Sequence, residues 1–282
     1  MSAVSTVTTA TDVSRKPYAG ISHWFADGWV LTLRNLQRMS RNPELLVYTA
    51  LQPVMLVLLF TYVFGGAIAV PVGTSYRELI VPGIMVQTLA FAAGTTSVGI
   101  ADDLAKGLID RFRSLPIARA AVLTGRTTAG LIQNSLVVCA LAACGLAVGW
   151  RVHTGPFRTL AAFALVLLFA YAMSWIGALL GLSVSSPETA NTAGFIWIFP
   201  LTFLSNVFVP THTLPSWLRP VAEWNPLSAT AQAVRHLFGN DTGVDVSSFP
   251  MRNAAATSLF WSLLILLVCV PLAVRKYRAA AN

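Results

Sequence analysis

Charged side chains are scarce in this sequence of 282 residues: Asp, Glu, Lys and Arg make up 11% of it, whereas hydrophobic residues make up 55%. A soluble domain carries about 25% charged residues. Six runs contain no charged residue at all: 45–76, 79–101, 127–150, 159–187, 189–218 and 253–274. Since about 20 apolar residues can cross a bilayer as a helix, these runs exclude an ordinary soluble domain.

Several kinds of chemistry also lack the residues they need. The three cysteines lie inside apolar runs without paired spacing, which argues against disulfides or a metal site. The four histidines are scattered, with no His-Glu spacing typical of a metal enzyme. The closest match to a phosphate-binding loop, 125–130, continues with Leu131 and Ile132 where Lys and Ser/Thr are required. We therefore expect no catalytic residue, metal or bound cofactor in this chain.

The charge-free runs predict an all-α polytopic membrane protein. Its membrane domain covers 44–278, with six transmembrane helices at about 46–68, 79–101, 129–149, 159–182, 191–209 and 254–274. Glycines four residues apart, Gly145 with Gly149 and Gly177 with Gly181, predict close packing between helices inside the molecule, with a dimer interface as the alternative.

The distribution of basic residues predicts the orientation. Thirteen of the 19 Lys and Arg residues lie before the first predicted span, between the second and third, or after the sixth. The positive-inside rule therefore places the N- and C-termini in the cytoplasm of a plasma or inner-membrane protein. Lipid headgroups account for a net charge of +8 beside membrane spans, so we expect no nucleic acid partner.

The segment before the first span has two parts. Residues 1–20 are rich in Ser and Thr, and we expect a disordered cytoplasmic N-terminus. In 21–43, apolar residues recur at helical spacing, and Arg34, Arg38 and Arg41 form a second stripe. This pattern predicts an interfacial amphipathic helix on the membrane surface, with packing on a soluble partner as the alternative.

A charged stretch separates the second and third spans. Leu104, Leu108 and Phe112 repeat at helical spacing, and charged residues occupy another face. Pro116 then disfavours helix at the residue before it. The stretch is expected to be an amphipathic cytoplasmic helix, 102–114, whose apolar face docks onto the membrane surface or onto a protein.

The segment before the sixth span, 210–253, is long and rich in proline and tryptophan. Asn225 followed by Pro226 is a good helix start, and Gly239 is a good residue to follow a helix end, which predicts a helix over Pro226–Phe238. We expect this external segment to lie in the outer interface of the membrane or to cap a cavity.

These features together resemble the ABC-2 type permeases, most closely the daunorubicin/doxorubicin-resistance type of drug-export permease. The resemblance covers about 25–277, and the most specific stretches are GLIDRFRSLPIARAAVLTGR (107–126) and VFVPTHTLPSWLRPVAEWNPLSATAQAVRHLFG (207–239). It implies a permease subunit of an ABC exporter for a hydrophobic or amphiphilic compound, which is not itself an enzyme.

The resemblance also implies partners. ATP and Mg would bind a separate ATP-binding subunit, and a second copy or a similar permease would complete the transporter. By this likeness 21–43 is the connecting helix, and 102–114 is the coupling helix that contacts the ATPase. Its candidate coupling residues are Asp102, Asp103, Leu104, Lys106, Leu108, Asp110, Arg111, Phe112 and Arg113.

The likeness further implies a translocation route lined by the first, second and fifth spans. The candidate residues are Gln52, Met55, Phe60, Gln87, Phe91, Asn191, Phe195, Trp197, Phe199, Phe203 and Asn206. Aromatic and Met side chains suit amphiphilic substrates because they are polarisable and adaptable.

Other functions stay open at this stage. The substrate could equally be a lipid or a glycan, and transport could proceed by alternating access or lateral extrusion. An ion-coupled secondary carrier and a membrane scaffold are the rival classes. The carrier is disfavoured because the predicted span cores contain no carboxylate of the kind that couples transport to an ion.

Overall fold

The computed structural model describes residues 32, 43–66, 75–107, 119–208, 211, 214–240 and 248–280. Every regular element within these ranges is a helix, and no strand is formed there. The helices are α1 (Pro43–Leu59), α2 (Tyr76–Ala105), α3 (Arg119–Ala147), α4 (Pro156–Gly181), α5 (Pro187–Phe203), α6 (Arg219–Trp224), α7 (Pro226–Phe238), α8 (Phe249–Arg252) and α9 (Ala254–Ala280); α1 continues into a π-helical stretch, Phe60–Phe64.

Five helices of the described chain are long and apolar enough to cross a membrane. They are Val47–Phe64, Tyr76–Ala105, Leu123–Ala147, Pro156–Gly181 and Ala254–Tyr277. They correspond to the predicted spans one to four and six, so the all-α membrane class is confirmed. The predicted segments 1–20 and 21–43 lie outside the described residues, except for Pro43 and for Thr32, which is helical and buried.

The predicted fifth span at 191–209 is not confirmed as a full crossing. Helix α5 has 17 residues, which corresponds to about 26 Å of helix, against about 30 Å for the hydrocarbon core. The chain turns at Leu204, whose carbonyl and that of Leu201 accept hydrogen bonds from the Asn225 side chain at 2.9 and 2.7 Å. Hydropathy alone does not detect this capped end.

Helix α2 occupies the centre of the molecule, and α3, α4, α5 and α7 pack around it. Close approach of α4 depends on glycine, because a Cβ on Gly177 would overlap the carbonyl oxygen of Ala93 and one on Gly181 would meet that of Ser97. This pair therefore packs inside the molecule, as predicted. Gly145 of α3 similarly lies against Val81 of α2.

Helix α7 has the predicted bounds because its two caps are local. The side-chain oxygen of Asn225 accepts a 2.8 Å hydrogen bond from the Leu227 N–H, and Pro226 needs no such partner. At the other end, Gly239 adopts φ +73°, a left-handed conformation that glycine reaches without steric cost.

The position of α7 differs from the expected external cap. Most of its residues are buried, and it packs against α2, α4 and α9. Large apolar side chains are exposed instead in the neighbouring α6 region, where Trp217, Val221 and Trp224 are at least half exposed, and at Phe249 of α8. The segment is therefore divided between an integral packing helix and an amphipathic surface region.

Candidate functional site

A cavity of about 390 Å³ lies between α1, α2, α3 and α5. Its wall combines apolar groups, among them Leu56, Val137 and Ile198, with several uncharged polar side chains. In the part of the wall that the structure describes, no Asp, Glu, Lys, Arg or His is present. This volume is within the range of small-molecule sites, which are mostly apolar with a few polar groups.

Five carboxamide side chains from four helices line the cavity, and we call them the carboxamide cluster: Gln52, Gln87, Gln133, Asn134 and Asn191. Gln87 and Asn134 are buried, whereas Gln52 and Asn191 are exposed and therefore lie at its mouth. No member forms a hydrogen bond with another described residue, and the Gln87 Oε1 atom is buried without a partner. A buried polar atom without a hydrogen-bond partner destabilises the folded state by about 1–3 kcal/mol.

An aromatic pair forms part of the same wall. The rings of Phe91 on α2 and Phe195 on α5 have centroids 5.9 Å apart at a tilted angle. Gly94 and Gly194 lie beside this pair, and a Cβ on Gly194 would be 3.5 Å from the Gly94 Cα. This is an ordinary van der Waals distance, so α2 and α5 are in direct contact next to the cavity.

The structure brings together part of the predicted translocation set. Gln52, Gln87, Phe91, Asn191 and Phe195 line the cavity. The other six candidates, Met55, Phe60, Trp197, Phe199, Phe203 and Asn206, do not.

These six residues have other surroundings. Met55, Phe199 and Phe203 are more than half exposed on the outer faces of α1 and α5. Phe60 stacks on Phe208, and Asn206 is buried against α7. Trp197 packs at the edge of the main core.

Sequence reasoning missed the contribution of α3, which supplies Gln133 and Asn134. A signal was present, because adjacent carboxamides are unusual inside a charge-free run. Their direction could not be deduced, because it depends on how α3 is rotated against α2.

The predicted coupling residues fall partly on the end of α2. Asp102, Asp103 and Leu104 belong to its last turn, and Lys106 follows it, so the predicted separate helix does not begin at 102. The remaining five, Leu108, Asp110, Arg111, Phe112 and Arg113, lie outside the described residues.

An ion-pair junction joins α2 and α3 on either side of that segment. Arg126 on α3 pairs with Asp103, and its guanidinium lies over Gly99, where no Cβ would fit. One residue earlier, the carbonyl of Gly125 accepts a hydrogen bond from the Thr32 hydroxyl at 3.3 Å. Lys106 and Asp102 form a second, local pair at 2.6 Å. Asp103 is therefore engaged within the chain.

The opposite end of α2 is fixed by Arg235 of α7. Its Nε donates to the Leu79 carbonyl at 2.9 Å, and its Nη2 donates to the carbonyls of Asn206 and Val207, both at 3.0 Å. Burial lowers the pKa of Arg235 to about 9, so the guanidinium still carries its charge near neutral pH.

Further hydrogen bonds surround α7. Ser228 accepts from the Asn206 N–H at 2.9 Å, and Asn240 links the Trp150 indole N–H to the Arg151 carbonyl, both at 2.8 Å. We call Asn225, Ser228, Arg235 and Asn240 the α7 anchor.

Among the described residues, no three His, Cys, Asp or Glu side chains lie close enough together to hold a metal ion. Five long apolar helices, three of which line an uncharged, partly polar cavity together with α5, define a multi-pass membrane protein with a candidate small-molecule site.

Comparison with known proteins identifies the class. A model of the ABC-2 type transporter family matches residues 27–238, and the chain belongs to that family. It is a transmembrane permease of an ABC transporter and a multi-pass protein of the cell membrane.

Three known permeases are among the proteins that are similar to this chain in sequence. The chain is 31% identical over 246 residues to the daunorubicin resistance ABC transporter permease protein DrrB1 of Streptomyces coeruleorubidus, covering 87% of this chain and 83% of the relative. It is 24% identical to the probable doxorubicin resistance ABC transporter permease protein DrrC of Mycobacterium tuberculosis (strain ATCC 25618 / H37Rv), covering 89% and 88%. A probable multidrug ABC transporter permease of Escherichia coli (strain K12), YbhR, is 24% identical over 65% of this chain and 50% of its own.

Proposed function

We propose that this permease exports a hydrophobic or amphiphilic drug-like compound and that its substrate enters the cavity between α1, α2, α3 and α5. The observation that carries the proposal is the buried Gln87 oxygen, which has no hydrogen-bond partner, in a pocket whose described lining residues are all uncharged. A cavity with apolar walls and free hydrogen-bonding groups suits an amphiphilic guest. The names of the relatives point to drug resistance.

The proposed topology has six crossings with both termini in the cytoplasm, and α5 is the short crossing. Two contacts support this arrangement: Gly194 lies beside Gly94, and the Val207 carbonyl lies beside Gly83. Helix α5 and the turn that follows it therefore run alongside α2 in the opposite direction over the twelve residues from 83 to 94. With α5 counted as a crossing, the number of crossings is even. An even number puts both termini on the same side of the membrane, as the distribution of basic residues predicts.

Energy would come from a separate subunit that binds ATP and Mg and contacts the segment from Asp102 to Arg113. The Asp103–Arg126 pair supports this assignment, because it joins the start of that segment to α3, and both α2 and α3 line the cavity. A second permease, either another copy or a similar chain, would complete the transporter, as the family implies.

The test uses the permease co-expressed with its ATP-binding subunit and reconstituted in vesicles. Wild-type protein should export a fluorescent anthracycline with ATP, and a proton gradient without ATP should give no transport. Asp110→Arg and Phe112→Asp should insert normally but lose most export and retain less ATPase on purification.

The matched control is Arg252→Asp, a comparable charge change at an exposed residue of α8, which should behave as wild type. Normal ATPase retention in both Asp110→Arg and Phe112→Asp would remove the coupling assignment. Transport that follows a proton gradient and ignores ATP would overturn the proposed energy source.

A further inference from the structure

The carboxamide cluster indicates which chemistry the cavity recognises. Each carboxamide offers an acceptor oxygen and two N–H donors, and the five groups approach the cavity from four helices. Among the described lining residues, no carboxylate is present to balance a cation and no basic side chain is present to balance an anion. The polar recognition available in the cavity is therefore neutral and works in both hydrogen-bonding directions.

Two members are placed where protein groups do not satisfy them. Gln87 is 8% exposed and Asn134 is 9% exposed, yet neither bonds to another described residue. Buried polar groups in folded proteins are normally paired, and an unpaired one on a residue that lines a cavity can be satisfied by a partner from outside the chain. A hydroxyl group is a suitable partner, because it can donate to a carboxamide oxygen and accept from a carboxamide N–H.

We propose that the cavity binds the neutral, hydroxyl-bearing portion of an amphiphile and disfavours a charged group at the same position. The phenyl rings of Phe91 and Phe195 would contact the apolar part of that portion. This inference rests on the proposed function, because it names the substrate class of the same pocket.

Three matched probes separate the possible chemistries. Anthracene-9-methanol, 9-methylanthracene and protonated 9-(aminomethyl)anthracene share one ring system and differ in a single group. Their binding is measured by fluorescence, with the complete permease–ATPase complex in nanodiscs at neutral pH. Nanodiscs without protein correct for partition into lipid.

For wild type, we expect the alcohol to bind about tenfold more tightly than the methyl or ammonium compound, the difference of roughly one good hydrogen bond. Gln87→Leu should weaken binding of the alcohol about five- to tenfold and change binding of the methyl compound less than about twofold. Gln87→Glu should raise the affinity for the ammonium compound. The matched control, Gln232→Leu on α7 outside the cavity, should change none of the three affinities.

Several results would overturn this assignment. They are equal binding of the three probes by wild type, no measurable binding of the alcohol, or an unchanged alcohol affinity in Gln87→Leu. Failure of the proposed function looks different: the alcohol would still bind with the expected selectivity, but ATP-driven export and ATPase retention would be missing.

Discussion

In the α7 anchor, Asn225 and Asn240 use both the oxygen and the nitrogen of their side chains, whereas in the carboxamide cluster Gln87 and Asn134 bond to no other described residue. All four side chains are buried. The same chemical group therefore stabilises one region and is left available in the other. The extent of burial does not distinguish the two roles, whereas the hydrogen bonds that each side chain forms do.

The largest expected loss of stability comes from a substitution in the α7 anchor. Arg235→Met removes three hydrogen bonds from a buried guanidinium to backbone carbonyls, and we expect a loss of at least about 3 kcal/mol in the free energy of unfolding. Thermal unfolding in detergent measures this loss, with Arg252→Met, at an exposed residue of α8, as the control. Equal melting temperatures for the two variants would show that Arg235 does not hold α7 in place.

A smaller loss in the free energy of unfolding is expected for a substitution at the contact between α4 and α2. Gly177→Ala places a methyl group against the Ala93 carbonyl oxygen, and overpacking of this kind costs about 1–3 kcal/mol. Gly130→Ala is the matched control, because no heavy atom lies within 4 Å of its added methyl group. The control should be neutral or slightly stabilising by helix propensity. If both variants melt alike, the close contact between α4 and α2 is not required.

Asn225 caps both the end of α5 and the start of α7, and loss of its side chain should lower the free energy of unfolding by about 1–2 kcal/mol. Asn225→Ala removes the bond to the Leu227 N–H and frees the carbonyls of Leu201 and Leu204. The comparison is Asn253→Ala, an exposed asparagine with one 3.2 Å bond to Phe249. Chemical denaturation should separate the two, and equal midpoints would contradict the structural role of Asn225.

The smallest stability effect is expected inside the cavity. Asn134→Leu removes a buried group that has no described partner, so the free energy of unfolding should change by less than about 0.5 kcal/mol or increase. ATP-driven export of an anthracycline should nevertheless fall. A loss of stability as large as that of Asn225→Ala would erase the distinction between the two regions.

The sequence predicted the features that depend on local chemistry. Asn225, Pro226 and Gly239 were sufficient to place α7, because caps act within a few residues of a helix end. Five of the predicted spans coincide with long apolar helices for a similar reason, since length and hydropathy are properties of the segment itself.

Features that depend on contacts distant in sequence were not predicted. The end of α5 is set by Asn225, about 20 residues away, and the contribution of Gln133 and Asn134 depends on how α3 is rotated. Likewise, Asp103 has the charge expected of a residue that binds a partner, but its pairing with Arg126 across 23 positions could not be deduced from spacing.

The contact between Gly99 and Arg126 has a mechanical consequence. Any side chain at position 99 would displace the guanidinium from its present place, so Gly99 leaves the room in which the Asp103–Arg126 pair forms. A force on the segment between these helices would therefore reach α2 and α3 through one charged contact.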